Sequence, residues 1–390
     1  MKRVVPLALL ALVVAVPAGG ADGCFGPCNG ASVNPPGTTV LAVRPRGDGG
    51  PLVAYDTRTG KRRYTLPAGI PSADGRSYST ARPRGRWTTL QTFDTRTGAL
   101  IRRWRVASAG WLTAVSAQGR WLALNHYRAK PRPGRTTITL LHARSGKVAR
   151  TLRLPGAFDV DTISADGERL FLVQYLNGAH GRYQIRVFDL ENGRLRREPI
   201  KGADEGAVMT GYGTHAVGSP DGRWLFTLYV NTARSLAFIH ALNVETARPR
   251  CIFLPSRPRA WDAMTRYSLT LAPDGRHVYA ANPVLGLVAD VDLSKMRVVR
   301  TVEFQPERAA ARRLPTRTNA AISPDGRTLY FTGARSVWAY DAAAARVRGP
   351  YAAGRPVIGL AWTGKRVHAL GADRRLLAFD ARTGRLLSRR

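Results

Sequence analysis

Asp159 and Asp161 alternate along an apolar run, so both carboxylates fall on one side of an extended chain. Paired carboxylates on one strand face suit a cation or the hydroxyls of a sugar. The plainer reading is a pair of satisfied polar residues at a strand end. His215 begins another such run, where an imidazole can act as general base or metal ligand, or can simply be structural. The remaining histidines, among them His126, His142, His240 and His368, are scattered without ligand spacing. Trp261, Arg266 and Tyr267, with Arg257 and Arg259 close by, form a basic aromatic stretch able to hold an anionic sugar or polymer by stacking and charge. A solvated loop with one aromatic tucked inward reads equally from those residues. Asn319 and Arg355 complete the polar residues that stand just before or at the start of short apolar runs.

No catalytic motif surrounds these candidates. Gly-x-Ser-x-Gly, a phosphate-cradling loop, His-Glu-x-x-His and an EF-hand loop are all absent from the sequence. The expectation is therefore no catalytic residue, no metal and no cofactor, with Asp159, Asp161, His215, Trp261, Arg266 and Asn319 as ligand-binding candidates.

The elements that position them are set by two alternating turn signatures. The first is Ser72-Ala73-Asp74-Gly75, repeated at Ser116, Ser164, Ser219, Ala272 and Ser323, with a worn copy at Trp362-Thr363-Gly364-Lys365. Asp can bond its own backbone, and Gly takes the positive φ that a tight hairpin needs. The second is Asp56-Thr57-Arg58-Thr59-Gly60, repeated at Asp94, Asp189 and Asp380, and more loosely at His142, Asn243, Asp292 and Asp341. Apolar or alternating strands flank both signatures, as in Trp224 to Leu228 and Thr328 to Phe331. One unit is strand, Asp-Gly turn, strand, loop, strand, Asp-x-x-Thr-Gly turn, strand. Repeats of roughly 40–50 residues built this way read as propeller blades. A lone four-stranded meander exposes both faces, and stacking copies around a ring buries them. The expected fold is thus all-β: a β-propeller of four-stranded antiparallel blades. Eight blades are expected, with seven plus a shared closing blade as the alternative. The first unit, near Val40 to Leu66, shows no clear innermost strand.

The Ser-Pro-Asp-Gly-Arg turns with their Leu-Tyr strands resemble the YVTN and WD-like propeller repeats of exported bacterial proteins. The Asp-x-x-Thr-Gly copies are similar to the repeat of pyrroloquinoline-quinone-type propellers, in which a Trp a few residues later docks on the next blade. Trp104, after Gly98, approaches that pattern. The resemblance spans about residues 40–390 and implies a fold, not a task, since propellers host hydrolases, dehydrogenases and binding platforms alike. In such a fold the candidate residues lie where the chain enters the innermost strands, beside long loops at 201–214, 256–266 and 305–317.

The chain has 390 residues and a formal net charge of +34. Nearly all the basic residues are arginine and they recur in every repeat, as GC-rich coding alone would give. Whatever its origin, that charge draws polyanions in a salt-dependent way. Three cysteines, Cys24, Cys28 and Cys251, are too few for a disulfide scaffold. The N-terminus reads as a secretory signal over 1–21: a basic start at Lys2 and Arg3, an apolar run from Val4 to Val16, then small residues. The run is shorter than a membrane span. Cleavage near Ala18 to Ala21 and lipidation of Cys24, in the box-like Ala21-Asp22-Gly23-Cys24, are both open. Residues 22–38 read as a linker and 39–390 as one propeller domain.

The functional expectation is an exported, non-enzymatic binding module at the cell exterior and a monomer. Its partner would be a protein or an anionic polymer or glycan, with no specific nucleic acid and membrane contact only through a lipid on Cys24. The alternative is a propeller enzyme, lactonase-like or quinoprotein-dehydrogenase-like, built on Asp159, Asp161 and His215.

Overall fold

A computed structural model describes residues 23–24, 32–33, 38–44, 50–126, 134–176, 182–202, 206–219, 221–257, 261–307 and 319–390. The signal expected at 1–21, Cys28 and Arg259 lie outside these, as do the side chains of Cys24 and Trp261.

Eight antiparallel sheets follow one another along the chain. β1 (Gly23–Cys24) precedes them and pairs in parallel with the third. Blade 1 is β2 (Ser32–Val33), β3 (Val40–Val43), β4 (Leu52–Asp56) and β5 (Arg62–Leu66). Blade 2 is β6 (Gly69–Pro71), β7 (Ser77–Arg84), β8 (Trp87–Asp94) and β9 (Leu100–Val106). Blade 3 is β10 (Trp111–Val115), β11 (Trp121–Asn125), β12 (Arg135–His142) and β13 (Val148–Pro155). Blade 4 is β14 (Ala157–Ile163), β15 (Arg169–Tyr175), β16 (Arg182–Asp189) and β17 (Arg194–Leu195), with β18 (Met209–Thr210) added against β16. Blade 5 is β19 (Tyr212–Gly218), β20 (Trp224–Asn231), β21 (Leu236–Asn243) and β22 (Arg248–Phe253). The single turn α1 (Trp261–Met264) leads into blade 6: β23 (Ser268–Leu271), β24 (His277–Asn282), β25 (Leu287–Asp292) and β26 (Arg297–Glu303). Blade 7 is β27 (Ala320–Ile322), β28 (Thr328–Thr332), β29 (Ser336–Asp341) and β30 (Arg346–Ala352). Blade 8 is β31 (Val357–Thr363), β32 (Arg366–Gly371), β33 (Leu376–Asp380) and β34 (Leu386–Arg389).

The expected turn chemistry operates atom by atom. Ser72 Oγ donates to Asp74 Oδ1 at 2.6 Å, and the same bond recurs in Ser164/Asp166, Ser219/Asp221 and Ser323/Asp325. Asp56 Oδ1 accepts from the backbone N–H groups of Arg58 and Thr59 at 2.8 and 3.2 Å, and Asp94, Asn243, Asp292, Asp341 and Asp380 repeat the arrangement. These side chains are consumed by their own turns. Blade 3 replaces the acid with His142, whose ring lies 4.1 Å from that of Trp121.

Neighbouring blades are sealed by separate apolar clusters, and these decide the blade count. The cluster of Ala114, Ile138, Phe158 and Leu172 joins blades 3 and 4, and that of Leu228, Ile239, Leu269 and Val291 joins blades 5 and 6. The ring closes because Leu41, Val43 and Tyr55 of blade 1 pack on Ala361, Leu370 and Leu376 of blade 8. Blade 1 is completed on its inner side by β2, which pairs antiparallel with β3 and comes from the stretch 22–38. Eight complete blades meet end to end, so no shared closing blade is needed.

An outer latch reinforces these seams. Trp104 Nε1 on blade 2 donates to Ala143 O of blade 3 at 3.3 Å, and its ring covers Gly146. Tyr64 does the same for Thr95 and Gly98, and the Tyr351 ring covers Gly384. Elsewhere arginine takes the role: Arg300 donates to Ala342 O at 3.1 Å and Arg348 to Arg382 O at 2.6 Å. Each latch bonds a neighbouring turn carbonyl or covers a turn glycine of positive φ, where the ring itself leaves no room for a Cβ.

Candidate functional site

β14 carries both candidate aspartates, and neither opens to solvent: Asp159 is 6% and Asp161 1% exposed. Asp159 is tied down from two sides. Its Oδ1 accepts from Asn125 Nδ2 of blade 3 at 2.9 Å and its Oδ2 from Tyr175 OH at 3.3 Å. Asn125 also bonds Phe158 O at 3.1 Å, so this aspartate belongs to the blade 3/4 seam. A bulge between Val160 and Thr162 then breaks the simple alternation. Asp161 is left with both carboxyl oxygens lacking a hydrogen-bond partner among the described residues. Burial pushes its carboxyl up to about 7. Its charge is felt by Tyr175, Tyr183 and Tyr229, whose phenols are all held above their usual range, chiefly by burial. Tyr183 and Tyr229 stack with centroids 5.1 Å apart across the blade 4/5 seam. Beside Tyr229 lies His240, also buried, which burial holds neutral down to about 4.

The other candidates lie on successive blades around the ring. His215 sits on β19 of blade 5, 4% exposed, with Nδ1 3.2 Å from Thr214 Oγ1. Arg266 is half-buried just after α1, its N–H bonded to Ala263 O at 3.0 Å. Asn319 enters β27 of blade 7 fully buried, exchanging hydrogen bonds with Thr332 at 2.8 and 2.9 Å. Trp261 stands in α1. Arg355 pairs with Asp373 at 3.2 Å on the surface. The structure thus spreads these residues over blades 4 to 8, with Asp159 bonded across the blade 3/4 seam and Asn319 bonded at a strand end.

The arginines are distributed in a way that composition alone does not reveal. Every outermost strand carries at least one, as in Arg62, Arg102, Arg153, Arg194, Arg248, Arg297, Arg346 and Arg389. The innermost strands β2, β6, β10, β14, β19, β23, β27 and β31 carry neither Arg nor Lys. The acid in the outermost strands is Glu303 alone, and Arg257 pairs with it at 3.1 Å. One share of the positive charge therefore forms a belt around the circumference. Part of it is structural: Arg105 lies 4.6 Å over the Trp87 ring, and Arg300 and Arg348 hold latches. The fourth strand is also each blade's free edge, where charged side chains oppose edge-to-edge pairing.

No family model matches the chain, and no curated protein matches it. Solved structures show the same fold. Over 93% of this chain and 93% of its own, apo AztD from Citrobacter koseri superposes with a TM-score of 0.52 at 12% identity. The Dos1 propeller does so over 90% and 93% with a TM-score of 0.52 at 11% identity. The dihydro-heme d1 dehydrogenase NirN, in complex with DHE, covers 97% of this chain with 76% of its own, with a TM-score of 0.49 at 16% identity. At these identities the likeness to AztD and to the Dos1 propeller concerns the fold alone.

Proposed function

We propose that the chain is an exported, non-enzymatic binding module whose arginine-bearing circumference engages an anionic polymer outside the cytoplasm. The observation that carries this reading is the charge belt: arginine on every outermost strand, with Glu303 the one acid on those strands, and no arginine on the innermost. Arginines spaced around a circumference attract an extended polyanion along its length and release it as salt rises. The repeat residues support membership among YVTN/WD-like exported propellers, and the basic-apolar N-terminal segment supports export, with the mature chain released or held by a lipid on Cys24. Among the described residues no helix is long and apolar enough to cross a membrane. Asp159, Asp161 and His215, on which the enzyme alternative depends, are each less than one-tenth exposed, and Asp159 is held by Asn125 and Tyr175.

Retention on immobilised heparin, with neutral dextran as control, tests the proposal. Replacing Arg62, Arg102, Arg248 and Arg250 with Gln should lower the salt-dependence slope by roughly one unit per arginine that contacts the polymer. An unchanged slope, or turnover of a lactone or alcohol that vanishes on mutating Asp161 or His215, overturns it. The intact mass of the exported chain distinguishes cleavage near Ala21 from lipidation of Cys24.

A further inference from the structure

The ring closes on a recess that none of the candidates above lines. In blade 8 the Asp-Gly turn is the worn copy, with Gly364-Lys365 joining β31 to β32 and no Ser/Asp pair folded over it. The result is a cavity of about 500 Å³ at the seam with blade 1, a size common for small-molecule sites. Its walls include Arg58, Trp362, Arg366, His368 and Arg390, with Thr38 and Thr39 at the blade 1 side, and no Asp or Glu lines it among the described residues. Acids close to the lining residues are engaged in their own turns, among them Asp325, next to the lining residue Pro324, which accepts from Ser323 Oγ at 2.5 Å and Arg327 N at 3.1 Å. Asp56, 3.7 Å from Arg58, is bonded by two backbone N–H groups, and Asp380 is bonded by those of Arg382 and Thr383.

His368 is the informative wall. It is 3% exposed, it lines the cavity, and its Nδ1 has no hydrogen-bond partner among the described residues. A buried polar atom left unpaired in a native fold calls for an explanation, and a ligand oxygen supplies one. Trp362 adds a half-buried indole whose Nε1 is already bonded to Gly364 O at 2.8 Å and which is backed by Tyr330. That leaves the ring as an apolar wall of fixed orientation. Three guanidinium groups around a partly enclosed space focus positive potential into it.

We propose that this recess binds a small organic anion, a carboxylate or phosphate carried on a sugar-sized body. The arginines and the His368 Nδ1 engage the anion, and Trp362 lies against the body. The inference is independent of the charge belt, because it concerns one seam and a compact ligand.

Calorimetric titration of the full chain with D-glucuronate, glucose 1-phosphate and neutral glucose tests it. The two anions separate a carboxylate from a phosphate source. At least one anion should bind tenfold or more tightly than glucose. Arg366→Ala, at an exposed position that leaves the fold intact, should weaken that binding at least tenfold, and His368→Phe should abolish it. The outer-strand variant lacking Arg62, Arg102, Arg248 and Arg250 should bind the small anion as the wild type does. Equal binding of anions and glucose, or no effect of Arg366→Ala, overturns the proposal. So does loss of binding in the outer-strand variant alone.

Discussion

Replacing Asp161 with Asn should make the protein more stable at neutral pH. The carboxyl is fully enclosed, its oxygens lack hydrogen-bond partners among the described residues, and burial moves it from the ordinary 3.8 to about 7. The unfolded chain gives up this proton near pH 4 while the folded protein keeps it to about 7. Between those values the unfolded state binds fewer protons, so stability falls as pH rises. A shift of about three units at about 1.4 kcal/mol each sets a ceiling of about 4 kcal/mol, fully developed above pH 7. Asn keeps the shape, resembles the protonated acid and carries no charge. The wild type and Asp161→Asn should therefore be nearly equal near pH 4, and the variant should lead increasingly up to pH 8. Urea unfolding followed by tryptophan fluorescence at half-unit pH steps measures the difference. His240 and His368 are present in both proteins and cancel in the subtraction. A difference that stays flat from pH 4 to 8, or an Asn variant less stable at pH 8, would show that Asp161 is ionised and well paired, and the reasoning would fail.

His240 and His368 should act in the opposite sense. Both are held neutral to about pH 4, so their contribution is present above the unfolded value of 6.5 and is lost as pH falls toward 4; His240→Phe should flatten the acid limb of a melting-temperature profile. Trp104→Ala should cost about 3 kcal/mol in urea unfolding through loss of the latch on Ala143 and Gly146. Gly146→Ala should cost about 2 kcal/mol or more, because φ is +67° and the new Cβ would sit 2.5 Å from the Trp104 ring. Ala247 and Ala345 hold the equivalent turn position at φ of 56° and 51°, so Ala247→Gly and Ala345→Gly should each raise stability by about 0.5–1 kcal/mol in the same assay.

Much of the blade was legible because turn chemistry is local. Ser, Asp and Gly at fixed offsets make their bonds within five residues, as the Ser72 and Asp56 turns show. The Trp104 latch was legible too, but its tyrosine and arginine counterparts were not. Tyr64 and Arg300 reveal themselves only once the facing turn carbonyl is in place. β2 escaped notice because Ser32–Val33 is too short to show alternation and is recognised by its pairing with β3. For Asp159 and Asp161 the spacing was visible but the direction was not. A bulge, the hydrogen bond from Asn125 of blade 3 to Asp159, and the burial of Asp161 within reach of the Tyr229 phenol of blade 5 decide what each side chain meets.

The seam recess gave one sign in advance, the missing Asp in the turn after Trp362. Its arginines come from opposite ends of the chain, Arg58 and Arg366, and only ring closure brings them together. The order of strands, the identity of the turns and the total charge follow from residues near one another along the chain, where geometry leaves few choices. The number of blades, the exposure of a given carboxylate and the placement of arginine on the rim depend on surfaces that meet only after each meander has folded. Hydrophobic closure between distant segments settles these, since such burial responds to shape and area and carries no sequence spacing of its own.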